Sequence, residues 1–330
     1  MELKKEWIAQ GYIDEPIPTD IDIKEAIREM CKEKDAIILA HYYTHGEIQE
    51  IADFIGDSLA LAQKAAKTTA KIIVMCGVHF MAETDKILCP DKLVLVPDLN
   101  AGCSLADSCK ADDLRKFKEE HPGYQVVSYV NTTAAVKALT DVVVTSGNAK
   151  KIIDTFPQDA KIIFGPDYNL GSYINSVTGR DMLLWQGGCH VHERFSVDEI
   201  VKLKEAHPEA KVLAHPECKG PVLAIADVVG STAVLLHYAI EHPEEAFIVA
   251  TEAGILHEMK RNCPDTIFYP VPPEISEGGV GCSCNECDYM KMNSLEKIYN
   301  TLKYEWPSVD VDEAVAVEAV KPINRMLELS

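Results

Sequence analysis

The chain has 330 residues, more than one hydrophobic core usually serves, so two or three compact units are expected. Its net charge of −20 argues against a sequence-independent grip on nucleic acid or anionic lipid, both of which need basic surface, and leaves small anionic substrates open. Apolar residues make up 47% but fall in strand-length runs, well short of the roughly 20 residues that span a bilayer, so no membrane segment is expected.

The first ten residues, MELKKEWIAQ, carry charges with no apolar core behind them, which does not read as a secretory signal. Eleven cysteines in such a chain are expected to be thiols and metal ligands in a reducing, cytoplasmic setting. In chain order, the first strand is 36–40, AIILA, and it ends in His41 and Tyr43. A second short strand runs into Ser58, a third is expected at 71–76 and a fourth at 93–96.

This unit then recurs. Residues 36–58 lie on 210–232 without a gap at a shift of 174. His41 meets His215, Asp53 meets Asp227, and Ser58 meets Thr232; Cys89 meets Cys263 further on. A more diverged middle copy sits at a shift of 88, with Tyr129 under His41, Asn131 under Tyr43 and Ser146 under Ser58. Its strands are expected at 125–130, 160–164 and 182–185, and those of the last copy at 210–214, 246–250 and 266–269.

Short apolar strands alternating with helices imply parallel sheets covered on both faces. The fold class is therefore α/β: three pseudo-threefold-related three-layer αβα units around a central active site. The units are placed at 1–108, 109–193 and 194–309, with a helical tail, 310–330, returning to pack on the first.

In parallel sheets ligands bind beyond the carboxyl ends of the strands. That rule selects His41, Tyr43, Tyr129, Asn131, His215 and Glu217 as residues facing a shared centre. Ser58, Ser146 and Thr232 are read as N-caps at helix starts, where free N–H groups favour phosphate or carboxylate.

A cysteine-bearing loop follows the last strand of each unit: AGCSLADSC (101–109), GGCHVH (187–192) and GCSCNEC (281–287). Cys103 and Cys189 are 86 residues apart, close to the unit spacing, whereas the third loop leaves Cys282, Cys284 and Cys287 open. Cys89 and Cys263 have Val177 in the middle copy and cannot form a threefold set. Cys31, Cys76 and Cys218 read as buried thiols. Three convergent thiolates suit either a zinc site, with His190 or His192 as fourth ligand, or an iron–sulfur cluster with one iron open to substrate.

The stretches AHYYTHGEIQEIADFIGDSLAL, CSLAD, YVNTTA, VTSGNA, WQGGCHVH, AHPEC, GSTA and CDYMKMNSLEKI resemble quinolinate synthase, the iron–sulfur enzyme of NAD biosynthesis. They cover most of residues 36–298. The resemblance implies a [4Fe–4S] cluster on Cys103, Cys189 and Cys287, the last chosen because it directly precedes DYMKMN. It also implies condensation of iminoaspartate with dihydroxyacetone phosphate to quinolinate, phosphate and water. His41, Ser58, Tyr129, Asn131, Ser146, His192, His215 and Thr232 would then bind substrate groups. Tyr43, Glu217 and His192 would serve the proton transfers. An enzyme that supplies iminoaspartate is the expected functional partner.

Both substrates are anionic and the chain has only six arginines, so helix starts and a metal must do much of the neutralising. Two rival readings remain: another [4Fe–4S]-dependent dehydratase acting on a different small anion, and an electron-transfer or zinc-stabilised binding protein. Cys284 and Cys287 keep a Cys-x-x-Cys spacing while Gly281 stands where some family members have a further cysteine. Two expectations stand for Cys284: a Cys284–Cys287 disulfide that removes a cluster ligand under oxidation, or a bystander thiol.

Overall fold

The computed structural model describes residues 3–273 and 285–330. Strands form where the apolar runs lie: β1 (Ala36–His41), β2 (Phe54–Gly56), β3 (Ile72–Cys76) and β4 (Leu93–Leu95) in the first sheet. The second sheet holds β5 (Gln125–Tyr129), β6 (Val142–Val144), β7 (Ile162–Gly165) and β8 (Leu183–Leu184). The third holds β9 (Lys211–Ala214), β10 (Val228–Val229), β11 (Phe247–Ala250) and β12 (Phe268–Pro270).

All pairings are parallel, and each sheet has its second strand outermost, followed by its first, third and fourth. The three sheets are thus copies of one topology, and the expected α/β class with three parallel units holds. In that order the chain reverses direction about the first strand, which places ligand-binding loops beyond the ends of β1, β5 and β9.

One repeated device explains why an aspartate returns at 53, 141 and 227. Each stands just before the second strand of its sheet. Its carboxylate accepts the N–H of Ile38, Val126 or Val212 at 2.8, 2.7 and 2.7 Å. Its own N–H donates to the carbonyl of the same partner at 3.0, 2.9 and 2.9 Å. The pair of bonds sets the register between the first two strands of each sheet. The carboxylates are solvent-exposed, so replacing any one by alanine should cost roughly 1 kcal/mol, with separate sites adding. Urea denaturation of Asp53→Ala, Asp141→Ala and the double variant reads this directly; unchanged midpoints would remove the clamp from the account of the repeat.

Cys89 and Cys263 also keep their equivalence, each thiol donating to a helix carbonyl, Ala65 at 3.2 Å and Ala239 at 3.6 Å. Cys31, Cys76 and Cys218 are buried, as expected. The tail forms the helix Glu313–Leu329 and buries Ala319, Ile323 and Met326. Sequence placed it on the first unit. It touches the helix His79–Leu88 there but lies chiefly across β6 and the helix Ala134–Lys137 of the second sheet. Among the described residues no helix is long and apolar enough to cross a membrane.

Candidate active site

A cavity of about 710 Å³, the space at its mouth included, lies where the carboxyl ends of the three sheets converge. All thirteen residues selected from sequence line it. The first sheet supplies His41, Tyr43, Ser58 and Cys103, and the second supplies Tyr129, Asn131, Ser146, Cys189 and His192. The third supplies His215, Glu217, Thr232 and Cys287.

The helix-start residues need one correction. Ser58 and Thr232 are not caps but the first helical residues of Ser58–Lys67 and Thr232–Glu241. The caps are Asp57 and Ser231, whose side chains accept the N–H groups of Ala60 and Val234. Ser146 lies two residues before Asn148, which precedes the helix Ala149–Ile153. A capping oxygen must fold back on its own helix, so moving that duty one residue upstream leaves the Ser58 and Thr232 hydroxyls available to the cavity.

His41 and His215 are equivalent in detail. The backbone N–H of Tyr43 donates to Nδ1 of His41 at 3.2 Å, and that of Glu217 to Nδ1 of His215 at 3.3 Å. Since Nδ1 accepts, a neutral ring carries its hydrogen on Nε2, and the His215 Nε2 lies 3.2 Å from the Ser146 hydroxyl. Burial lowers both pKa values to about 3, with the Glu217 charge opposing the fall. Both rings are therefore neutral hydrogen-bond donors at neutral pH.

The sign of the pH dependence follows. A folded-state pKa below the ordinary 6.5 means that protonation favours the unfolded chain, so this contribution to stability is lost as pH falls from 6.5 towards 3. Between pH 7 and 5, wild type should lose about 2 kcal/mol more than His41→Gln. Equal losses in urea titrations at the two pH values would contradict the neutral assignment.

Glu217 is 3% exposed and fully engaged. Its Oε1 accepts the Tyr129 hydroxyl at 2.5 Å, and its Oε2 lies 2.9 Å from Nδ1 of His192. Burial alone would raise its pKa, but the neighbouring His215 and His192 and the two donated hydrogen bonds outweigh it and hold the carboxyl below the usual range. The carboxylate is therefore ionised at neutral pH. Tyr43 is held from two sides, its hydroxyl 2.7 Å from that of Thr232 and 2.9 Å from that of Thr251. Burial first of all pushes the Tyr43 phenol well above its ordinary pKa, and does the same to Tyr129.

Cys103, Cys189 and Cys287 are unbridged and face the same cavity. Burial raises the Cys103 thiol to about 11 and the Cys287 thiol to about 12, and lifts Cys189 well above its ordinary value. The charges of the other two thiols add to the rise at Cys189. Thiolates gathered here need a compensating positive charge, which a thiophilic metal group supplies. The donor set therefore fits a thiolate-bound metal group.

A different set of donors also stands close: the Cys189 thiol, a His192 nitrogen and a Glu217 oxygen lie within 4.8 Å of one another. His192 Nδ1 faces both of the others, Glu217 at 2.9 Å and the Cys189 thiol at 3.2 Å, while its Nε2 lies 2.9 Å from the Thr251 hydroxyl. The nearby His190 pairs instead with the Ser104 hydroxyl at 3.2 Å. Cys282 and Cys284, and with them the expected Cys284–Cys287 disulfide, lie outside the described residues.

Sequence reading missed the residues that hold the cysteine loops. The buried carboxylate of Asp167 accepts the Cys189 N–H at 3.0 Å, and that of Glu252 accepts the Cys287 N–H at 3.0 Å. Burial raises Asp167 to about 8 and Glu252 to about 7, the latter against the pull of Lys291. Strand register makes them equivalent, since each stands two residues past the third-strand residue, Gly165 or Ala250, paired with Ser128 or Ala214. The acidic residue just past each of these strands is a sequence signal, but it does not recur in the first copy, which has Val78 there. Lys291 completes the third loop, 3.2 Å from Glu252 and donating to the Tyr43 carbonyl at 2.8 Å.

Residues 25–328 match the family model described as quinolinate synthetase A protein. The chain is similar to the quinolinate synthase of Microcystis aeruginosa (strain NIES-843 / IAM M-2473), 53% identical over 309 residues that cover 94% of this chain and 95% of that one. It is 52% identical over 322 residues to that of Trichormus variabilis (strain ATCC 29413 / PCC 7937), covering 98% of each. With that of Nostoc punctiforme (strain ATCC 29133 / PCC 73102) the identity is 54% over 310 residues, covering 94% of each. Three sheets built on one pattern, thirteen foreseen residues around one cavity and matches across nearly the whole length lead to one conclusion: the chain belongs to the quinolinate synthase family, enzymes of NAD biosynthesis.

Proposed function

We propose that this chain condenses iminoaspartate with dihydroxyacetone phosphate to give quinolinate, phosphate and water. Cys103, Cys189 and Cys287 would hold a [4Fe–4S] cluster with one iron left open. The observation that carries the reading is the meeting of one cysteine from each unit with the imidazoles and hydroxyls of all three in a single cavity. When bound, the cluster supplies a Lewis-acidic iron able to accept a substrate oxygen.

The protein's own groups divide the remaining work. His41 and His215 offer Nε2–H donors to carboxylate or phosphate oxygens. The Ser58 and Thr232 hydroxyls stand in the first turns of ten-residue helices, where the dipole favours negative charge. Asn131 has a buried side-chain oxygen with no partner of its own, which suits it to a donor on the substrate. Ser146 and Tyr129 orient substrate beside Glu217, which takes protons, while His192 fixes the Glu217 carboxylate. Tyr43 serves the second proton-transfer position, across the cavity.

Nine unbridged cysteines among the described residues support action in a reducing, cytoplasmic setting, next to an enzyme that supplies iminoaspartate. Anaerobic assay of purified protein with both substrates tests the proposal, with quinolinate and phosphate expected in equal amounts. Neither product appearing from metal-loaded protein would refute it. One observation favours a second reading: the compact Cys189, His192 and Glu217 group would suit a single zinc ion. Zinc at one per chain in active protein would favour that reading over the cluster.

A further inference from the structure

Lys137 ends the helix Ala134–Lys137 and is fully buried just behind the cavity wall. Its Nζ donates to the carbonyl of Val130 at 2.8 Å and to that of Thr132, the two residues that flank Asn131. The same atom stands 5.3 Å from the centre of the Phe80 ring. Phe80, Val130 and Asn131 all line the cavity, so a lysine lies one residue layer behind that side of it. Burial lowers its pKa to about 8, against the pull of Glu83, and the ammonium is charged at neutral pH. It forms no ion pair among the described residues. Glu83 is engaged elsewhere, accepting the Ala134 N–H at 3.0 Å. A buried charge without a counter-ion is costly unless something of opposite sign comes to it.

The repeat shows that holding the loop does not require a charge. Lys137 of the second copy falls on Gln49 of the first and Leu223 of the third. Gln49 Nε2 donates to the carbonyls of Tyr42 and Thr44, both at 2.9 Å, and these flank Tyr43 as Val130 and Thr132 flank Asn131. A neutral amide thus makes the same brace, and what only the second copy has is the positive charge. The second copy also has a spare donor. In the other two, the equivalent N–H groups, of Tyr43 and Glu217, are taken by Nδ1 of His41 and His215. Tyr129 stands in place of those histidines and offers no ring nitrogen, and the Asn131 N–H has no acceptor among the described residues.

We propose that Lys137 is a positioning residue for anionic substrate groups, its ammonium polarising the Val130–Asn131 peptide so that the Asn131 N–H binds an oxygen of a carboxylate or phosphate. The inference rests on the reading that the cavity takes anionic substrates. An ammonium on the Val130 carbonyl strengthens the N–H of the same peptide unit as a donor, because bonded groups in a chain polarise one another. The charge also attracts the anion directly, through a wall of Phe80 and Val130 where screening by solvent is weak.

Calorimetry and crystallography of protein purified without air, with variants matched to wild type in iron, test the proposal. The probes are inorganic phosphate and succinate. Lys137→Gln keeps a brace of the Gln49 kind and removes the charge. It should bind at least one of the two anions about 10-fold more weakly, the effect of one charge roughly 10 Å away at an effective dielectric of about 20. Its crystals should show Asn131 unmoved, which a merely structural role for the lysine would not combine with weaker binding. Weakening confined to phosphate assigns the Asn131 position to a phosphate group, weakening confined to succinate assigns it to a carboxylate, and weakening of both assigns it to either. Wild-type affinity for both anions, or a displaced Asn131 loop, would overturn the proposal. Wild-type crystals soaked with each anion should place an oxygen within about 3.2 Å of the Asn131 nitrogen. Both anions seated elsewhere would overturn it too, whether or not Lys137→Gln folds. If wild type makes no quinolinate, the functional reading fails by itself, and these measurements, which need no turnover, still decide the role of Lys137.

Discussion

Cys287→Ser protein, purified without air, is expected to come out colourless, with iron falling from about four per chain to near none and quinolinate formation lost. The three thiols share one cavity, and burial holds each of them protonated until a cation arrives. A serine hydroxyl is a harder donor and a far weaker acid than a thiol, so it gives neither the charge nor the soft donor that iron requires. Two thiolates would then remain to hold the group. Cys103→Ser and Cys189→Ser should behave alike, because the pseudo-threefold arrangement gives no ligand a lesser share. The Cys287 loop is fixed through Glu252 and Lys291 by bonds that do not involve the thiol, so the variant should still fold. Iron retained at the wild-type level in Cys287→Ser would transfer the role to Cys282 or Cys284. Cys284→Ser serves as the control, and iron and activity are expected to survive in it.

Glu217→Gln is expected to keep its colour and its iron while kcat falls by roughly 10²- to 10⁴-fold, the usual worth of a positioned acid–base group. Glutamine is nearly the same size, but its amide has one accepting oxygen where the carboxylate has two. Tyr129 and His192 both donate to this side chain, so one of them must then face an amide N–H. The substitution removes the proton acceptor and disturbs one of its two neighbours. Iron analysis beside steady-state kinetics separates the effects. Normal turnover would take Glu217 out of the chemistry, and loss of iron would instead make it a metal ligand in the Cys189, His192 and Glu217 group.

Much of this architecture was legible because the chain spells one unit three times. The strand runs at 36, 125 and 211 are apolar enough to be buried on both faces, and the aspartates at 53, 141 and 227 mark their register. The strand-end rule then carried His41, Tyr43, Tyr129, Asn131, His215 and Glu217 into one cavity without knowledge of how the sheets dock. What escaped was whatever depended on docking or departed from the repeat. Thr251 and Glu252 act across sheets, on Tyr43 and Cys287, and nothing local in their sequence shows that. Asp57 and Ser231 took the capping duty from Ser58 and Thr232 because they lie one residue nearer the strand, a difference finer than periodicity resolves. The tail helix was recognised as helical from its pattern. Its resting place on the second sheet depends on which edge lies open after the three sheets assemble.

Counting iron and acid-labile sulfide per chain in anaerobically purified wild-type protein tests the shared three-cysteine site most directly. About four of each, lost together in any of the three cysteine variants, is the expected result. A colourless protein with a single zinc per chain, or iron that survives the removal of Cys103, Cys189 or Cys287, would contradict it.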